Sequence, residues 1–77
     1  MNFLSRLSAD VALQVSEGRL KLIKGKLSPK KLGELTLLAS DLSLTKGEIW
    51  LDKRRKVTFS KEISEKYHQR FRNVLSL

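Results

Sequence analysis

The chain contains no cysteine and only one histidine, and these shortages remove most catalytic chemistry. Without cysteine there is no disulfide, no thiolate ligand for a metal and no cysteine nucleophile. His68 stands beside Gln69 and Arg70 and is expected to be an exposed helical side chain. The carboxylates show neither paired catalytic spacing nor metal-ligand spacing, and no glycine-rich phosphate loop is present. We therefore expect a protein that is not an enzyme and that has no cofactor and no metal site.

Long apolar runs are also missing, and there is only one proline. No segment is long and apolar enough to span a bilayer, and residues 1–7 are too short and too weakly charged for a signal peptide. Leucine, isoleucine and valine are plentiful, which favours a folded chain over a disordered one. The 77 residues predict a single domain, 1–77, whose small core gives marginal stability unless the chain self-associates. Residues 1–9 are expected to be an N-terminal arm or a short helical turn.

Positive charge is what the chain has in excess, with 16 lysines and arginines, 8 acidic residues and a formal net charge of +8. A balance of this size suits a polyanionic partner, although basic charge can also serve solubility alone. Nucleic acid is the first candidate; an acidic protein and an anionic membrane surface are the others. The expected location is the cytoplasm, with peripheral membrane association as the alternative.

Alternating apolar residues predict two β-hairpins. The first joins a strand around Val11–Val15 to a second over residues 19–24, through the turn Ser16-Glu17-Gly18. The second runs from Glu48 to Ser60, and its tip is four consecutive cations, Lys53-Arg54-Arg55-Lys56.

Each hairpin is followed by a segment with the apolar spacing of an amphipathic helix. Ser28 and Pro29 mark the start of the first, as the N-cap and the first helical residue. Ser60 is expected to cap the second, whose buried stripe would be Ile63, Tyr67, Phe71, Val74 and Leu75. The order ββαββα over residues 11–75 predicts an α+β fold. It would be a two-layer sandwich in which an antiparallel sheet of about four strands carries both helices on one face.

The same alternation predicts what the sheet face away from the helices carries. Trp50 would lie there among charged and polar side chains, as is typical of sheets that bind single-stranded nucleic acid. The alternative is a partly buried Trp50 that covers the sheet or fills a dimer interface. The predicted contact residues are Arg19, Lys21, Trp50, Lys53, Arg54, Arg55 and Lys56, with Lys30, Lys31, Arg70 and Arg72 around them.

These features indicate a small non-enzymatic basic binding module, with nucleic acid as its ligand. A second hypothesis is a protein-interaction module, an inhibitor or adaptor, that docks an acidic partner with Trp50 as an anchor. A third is a peripheral membrane protein that uses Phe3, Leu4 and Leu7 together with the basic surface. If the basic tip contacts no polyanion, its charge would serve only to discourage aggregation through sheet edges. Homodimerisation through a sheet edge is compatible with each hypothesis.

Several short motifs resemble a small bacterial family of uncharacterised proteins. They are Gly18-Arg19-Leu20, Gly25-Lys26-Leu27-Ser28-Pro29, Thr45-Lys46-Gly47-Glu48-Ile49 and the closing Gln69-Arg70-Phe71-Arg72-Asn73-Val74. The resemblance covers residues 11–75 and implies the same hairpin-helix-hairpin-helix order. It also implies an apolar N-terminal anchor, for which this chain offers only Met1–Leu7. It implies no activity.

Overall fold

The structure is a computed structural model that describes residues 9–75. Its strands are β1 (Val11–Ser16), β2 (Arg19–Lys24), β3 (Lys46–Leu51) and β4 (Val57–Phe59); its helices are α1 (Pro29–Asp41) and α2 (His68–Leu75), and a 3-10 turn, Glu65–Tyr67, precedes α2. The predicted order ββαββα and the α+β class are confirmed. Apart from Ala9, the expected N-terminal arm lies outside the described residues.

The four strands form one antiparallel sheet in the order β2-β1-β3-β4. The two hairpins are joined by their first strands, so β2 and β4 are the edges. Val11 lies opposite Leu51 and Ser16 lies opposite Lys46. The turn of the first hairpin and the tip of the second therefore lie at opposite ends of the sheet.

Both helices cover the same face of the sheet. The core there contains Leu13 and Ile49 from the two central strands, Leu35 from α1 and Phe71 from α2, all with 2% or less of their surface exposed. Burial of such side chains, at about 1.5–3 kcal/mol each, is the main force that holds the layers together.

Helix α1 begins where the sequence predicts. The Ser28 hydroxyl accepts a hydrogen bond from the backbone N–H of Lys31 at 3.1 Å, and Pro29 occupies the first helical position. At its other end the Leu42 N–H donates to the Leu38 carbonyl at 3.0 Å.

The second helix begins later than predicted, because Ser60 is taken up by the sheet. Its hydroxyl accepts from the Glu48 N–H and its own N–H donates to the Glu48 carbonyl, both at 2.9 Å. Ile63 then fills the space above Gly47, where an added Cβ would come within 2.7 Å of the Ile63 side chain. Residues 60–64 therefore pack on β3, and the expectation of a helix cap at Ser60 is wrong. A hydrogen bond from Ser60 also lowers the pKa of the exposed Glu62 carboxyl.

His68 is not the exposed helical residue that the sequence suggests. It is half-buried, its ring stacks on Phe59 with centroids 3.9 Å apart and planes 12° apart, and its Nε2 lies 2.9 Å from the Ile63 carbonyl oxygen. His68 thus connects the start of α2 with β4 and with the loop between β4 and the 3-10 turn.

We expect His68→Ala to lower the free energy of unfolding by about 1–2 kcal/mol, because it removes the ring stacking and leaves the Ile63 carbonyl without this partner. Urea denaturation measures the change. His68→Gln is the matched control: it removes the stacking but keeps a donor, so its loss should be smaller. Equal stability of His68→Ala and the unchanged chain would contradict a structural role.

Candidate polyanion-binding surface

The tip between β3 and β4 is a folded turn organised by Asp52. One Asp52 carboxylate oxygen accepts from the backbone N–H groups of Arg54 at 2.8 Å and of Lys56 at 2.9 Å. The Asp52 N–H donates to the Lys56 carbonyl at 3.1 Å, and the Arg55 N–H donates to the Asp52 carbonyl at 3.0 Å. Backbone groups therefore occupy one oxygen of the Asp52 carboxylate, while the side chains from Lys53 to Lys56 are all exposed.

Arg55 adopts a backbone conformation that an arginine rarely takes. Its φ is +66°, in the left-handed region that glycine and asparagine enter most readily. A non-glycine residue there costs roughly 1–2 kcal/mol. The turn thus places a strained, exposed cation at its corner.

A first groove runs between this tip and the start of α1. It has a volume of about 390 Å³, and residues from the tip, from β1, from the segment before α1 and from the end of α2 line it. Four cations line it, with two carboxylates and an apolar group of Val11, Leu27, Leu51 and Leu75; the cations are Lys26, Lys31, Lys53 and Arg55. Lys31 is held there by a 3.4 Å hydrogen bond from its Nζ to the Leu75 carbonyl.

A second groove, of about 370 Å³, lies between the tip and α2 and contains Arg55, Lys56 and Arg72. Arg55 lines both grooves, so the two are neighbours. The Arg72 guanidinium lies 5.5 Å from the centre of the Phe59 ring, within the range of a cation–π contact. We call the six cations of the two grooves the basic surface: Lys26, Lys31, Lys53, Arg55, Lys56 and Arg72.

The basic surface brings together five of the residues that the sequence analysis selected, and the exposed Arg54 lies in the same turn. Lys26 was not selected. Its only sequence signal is its place two residues before the N-cap Ser28, and its nearness to the tip depends on the fold.

Arg19 and Lys21 lie away from this surface. Arg19 pairs with Ser16, at the end of the sheet opposite the tip, and five residues of extended strand separate the two ends by about 17 Å. Lys21 pairs with Gln14 in the middle of the edge strand. The structure therefore does not bring these two cations into the grooves beside the tip.

Lys30 and Arg70 also lie elsewhere. Lys30 lines a shallow depression on the outer side of α1 together with Leu32 and Leu37. Arg70 lies in a groove between α1 and α2 that also contains Glu34 and Asp41. Neither cation lines the grooves of the basic surface.

Trp50 lies on the predicted sheet face, but it is buried. Only 4% of its surface is exposed, and it clusters with Ala9 and Ala12. Ala12 lies directly opposite Trp50 in the β1–β3 register, and its small side chain leaves room for the indole ring to lie over the sheet. A ring buried in this way cannot stack on bases, so Trp50 does not belong to an open contact surface. The ring is buried more deeply than the alternative interpretation, a partly buried tryptophan, expected.

Two further observations concern metal binding and membrane insertion. Among residues 9–75, no three histidine, aspartate or glutamate side chains lie close enough together to hold a metal ion. In the same range, no helix combines the length and apolar character needed to cross a membrane. The membrane hypothesis depends on Phe3, Leu4 and Leu7, which lie outside the described residues.

Comparison with known families gives one match. The family described as "Protein of unknown function (DUF3634)" matches residues 5–76. The chain belongs to this family. The DUF3634 match spans every strand, both helices and the whole basic surface, and it confirms the resemblance to an uncharacterised family. No curated protein and no solved structure matches the chain.

Proposed function

We propose that the protein is a small non-enzymatic module that binds single-stranded nucleic acid through the basic surface, in the cytoplasm of a bacterial cell. The observation that carries the proposal is the convergence of cations on two adjacent grooves. They come from the segment before α1, from α1, from the tip and from α2. Two carboxylates, Asp10 and Asp52, line the first groove, and backbone N–H groups bind one oxygen of Asp52.

An extended polyanion fits this arrangement better than a small anion does. A small anion is satisfied by two or three cations, whereas the basic surface has six, spread over two grooves that share Arg55. Phosphates could follow the cations from the first groove to the second. The apolar residues of the first groove, such as Leu27, would meet sugars and bases without reading their sequence.

A folded tip favours binding because the backbone that carries its cations is ordered before the ligand arrives. Asp52 fixes the backbone of Arg54 and Lys56, so less conformational entropy is lost on binding than from a flexible loop. Phosphate contacts release counterions, and about six of them on a single strand predict a slope near −4 for the logarithm of affinity against the logarithm of salt.

The test is fluorescence anisotropy of a labelled single-stranded oligonucleotide, titrated at several salt concentrations. Lys53→Gln combined with Lys56→Gln should weaken binding about tenfold or more at low salt and should reduce the slope by about 1.4, because two phosphate contacts are lost. Circular dichroism confirms that the variant is folded.

The matched control changes the same charge at the other end of the sheet. Lys46→Gln combined with Lys61→Gln removes two exposed cations far from the tip and should alter the slope by less than half as much. Arg19→Gln combined with Lys21→Gln tests the predicted contact on the sheet face instead of the basic surface. It should also have only a small effect on the slope. Equal losses in all three double variants would mean that net charge alone drives binding and would refute a defined site.

An acidic protein is the second candidate ligand, favoured by the apolar residues that line the first groove beside its cations. In that case polyglutamate-rich peptides with apolar residues would compete for the groove, and oligonucleotides would bind only at low salt. Absence of oligonucleotide binding at 0.15 M salt, with retained peptide binding, would replace the nucleic-acid proposal by this one.

A further inference from the structure

The outer side of α1 carries one large apolar side chain, Leu37, that no part of the described chain covers. Leu37 is 67% exposed, the most of any large apolar side chain among residues 9–75. One turn earlier, a Cβ added to Gly33 would meet nothing within 4 Å. The Thr36 hydroxyl donates to the Leu32 carbonyl at 2.8 Å, which satisfies its polar atom on this side. This side of α1 thus presents a projecting side chain, Leu37, next to an open position, Gly33.

The charges at the two ends of α1 are the reverse of what its dipole favours. Its first turn contains Lys30 and Lys31 and no acidic residue, and its last turn contains Asp41 and no basic residue. A single helix is slightly weakened by such an arrangement. Two antiparallel copies would be strengthened by it, because the basic end of each would meet the acidic end of the other.

The helical geometry places these features on one side. At about 3.6 residues per turn, Lys30, Leu37 and Asp41 fall within about 40° of one another around the helix axis. If a two-fold axis places Leu37 opposite Gly33 of the second copy, Lys30 comes within about one residue's rise of the second Asp41. Glu34, one turn after Lys30, would then approach its own copy near the axis.

We propose that two copies of this chain associate through the outer side of α1, antiparallel, with Leu37 of each copy over Gly33 of the other and Lys30 of each beside Asp41 of the other. These two pairs are self-complementary, as an isologous dimer requires, and the approach of the two Glu34 side chains is the one unfavourable contact of the arrangement. It differs from the sheet-edge dimer expected earlier, since the edge strand β2 carries Arg19, Lys21 and Lys24, and such charges oppose strand pairing. The proposal does not depend on nucleic-acid binding, because Lys31, which lines the first groove, lies on the other side of α1.

A single pair of helices makes a small interface, in the class below about 1,200 Å² in which association is weak. The net charge of +8 on each copy also opposes association at low salt. We therefore expect a dimer whose population rises with protein concentration at 0.15 M salt. Sedimentation equilibrium should show the mass rising from 8.8 kDa toward twice that value.

Leu37→Glu tests the apolar contact and should weaken dimerisation at least tenfold. Ile23→Glu is the matched control, because Ile23 is also a large apolar residue, 46% exposed, but lies on β2. It should leave dimerisation unchanged. A protein that stays monomeric to millimolar concentration, or equal effects of the two variants, would overturn the proposal.

Charge reversal tests the orientation. Lys30→Glu and Asp41→Lys should each weaken the dimer about fivefold while raising the melting temperature of the dilute monomer, since each now suits the helix dipole. The combined variant should restore dimerisation, because opposite charges face each other again. Arg70 of α2, which lies in the same groove as Asp41, is kept in every variant. Additive losses in the combined variant would refute the antiparallel arrangement, and tighter association of Glu34→Gln would support it.

Discussion

Replacing Trp50 by alanine should lower the free energy of unfolding by about 3–5 kcal/mol, which is a large part of the stability of a domain of this size. The indole is 4% exposed and is the large member of the cluster with Ala9 and Ala12. The two alanines cannot fill the cavity that the substitution would leave. Urea denaturation followed by circular dichroism measures the loss, since the only tryptophan is removed.

Trp50→Phe separates the packing role of the ring from a role in binding. The buried Trp50 Nε1 has no hydrogen-bond partner among residues 9–75, so phenylalanine gives up no such bond there and should cost no more than about 1–2 kcal/mol. Because the ring lies outside the basic surface, oligonucleotide affinity should stay within about twofold of that of the unchanged chain. A folded Trp50→Phe variant that binds tenfold more weakly would return Trp50 to the contact surface.

Trp50 also shows where strand periodicity stops being informative. Alternation correctly assigns Trp50 to the face opposite the helices, because neighbouring side chains of a strand point to opposite faces. Periodicity says nothing about what lies over that face. In the structure the ring clusters with Ala9 and with Ala12, which pairs with Trp50 across β1 and β3, and this strand pairing is not encoded in either hairpin.

The two helix starts make the same point about local signals. Ser28 and Ser60 both look like N-caps, and only Ser28 is one. Pro29 follows Ser28 and favours the first helical turn by itself. Ser60 instead meets Glu48 across the second hairpin and makes two hydrogen bonds with it, which a helix start at this position would lose. A contact between distant residues, and not the local sequence, therefore determines which serine caps a helix.

The part of the candidate site whose residues are consecutive in the sequence could be predicted. The four tip cations are visible in the sequence, and the structure exposes all of them. Lys31 and Arg72 were selected for charge alone, and Lys26 was missed, because the first groove is built from distant segments. The distance of Arg19 from the tip could not be predicted, since strand order decides which hairpin ends are neighbours, and the order β2-β1-β3-β4 puts the two turns at opposite ends.

Arg55→Gly should weaken oligonucleotide binding about five- to tenfold and, at the same time, leave the fold as stable or slightly more stable. Arg55 is the one cation that lines both grooves of the basic surface, so its loss interrupts the path that phosphates would follow. Its removal should also reduce the salt slope by about 0.7. The strain at φ +66° disappears in glycine, a gain of roughly 1–2 kcal/mol that exceeds the roughly 0.5–1 kcal/mol of added unfolded-chain entropy.

Arg55→Lys is the matched control, because it keeps both the charge and the strain. It should retain most of the affinity and the full salt slope, and its urea midpoint should equal that of the unchanged chain. If Arg55→Gly raises the stability but weakens binding, and Arg55→Lys changes both only a little, the strained corner is kept for its cation. A glycine variant that is less stable and binds equally well would show instead that Arg55 serves the turn, and the two grooves would then have to be treated as separate surfaces.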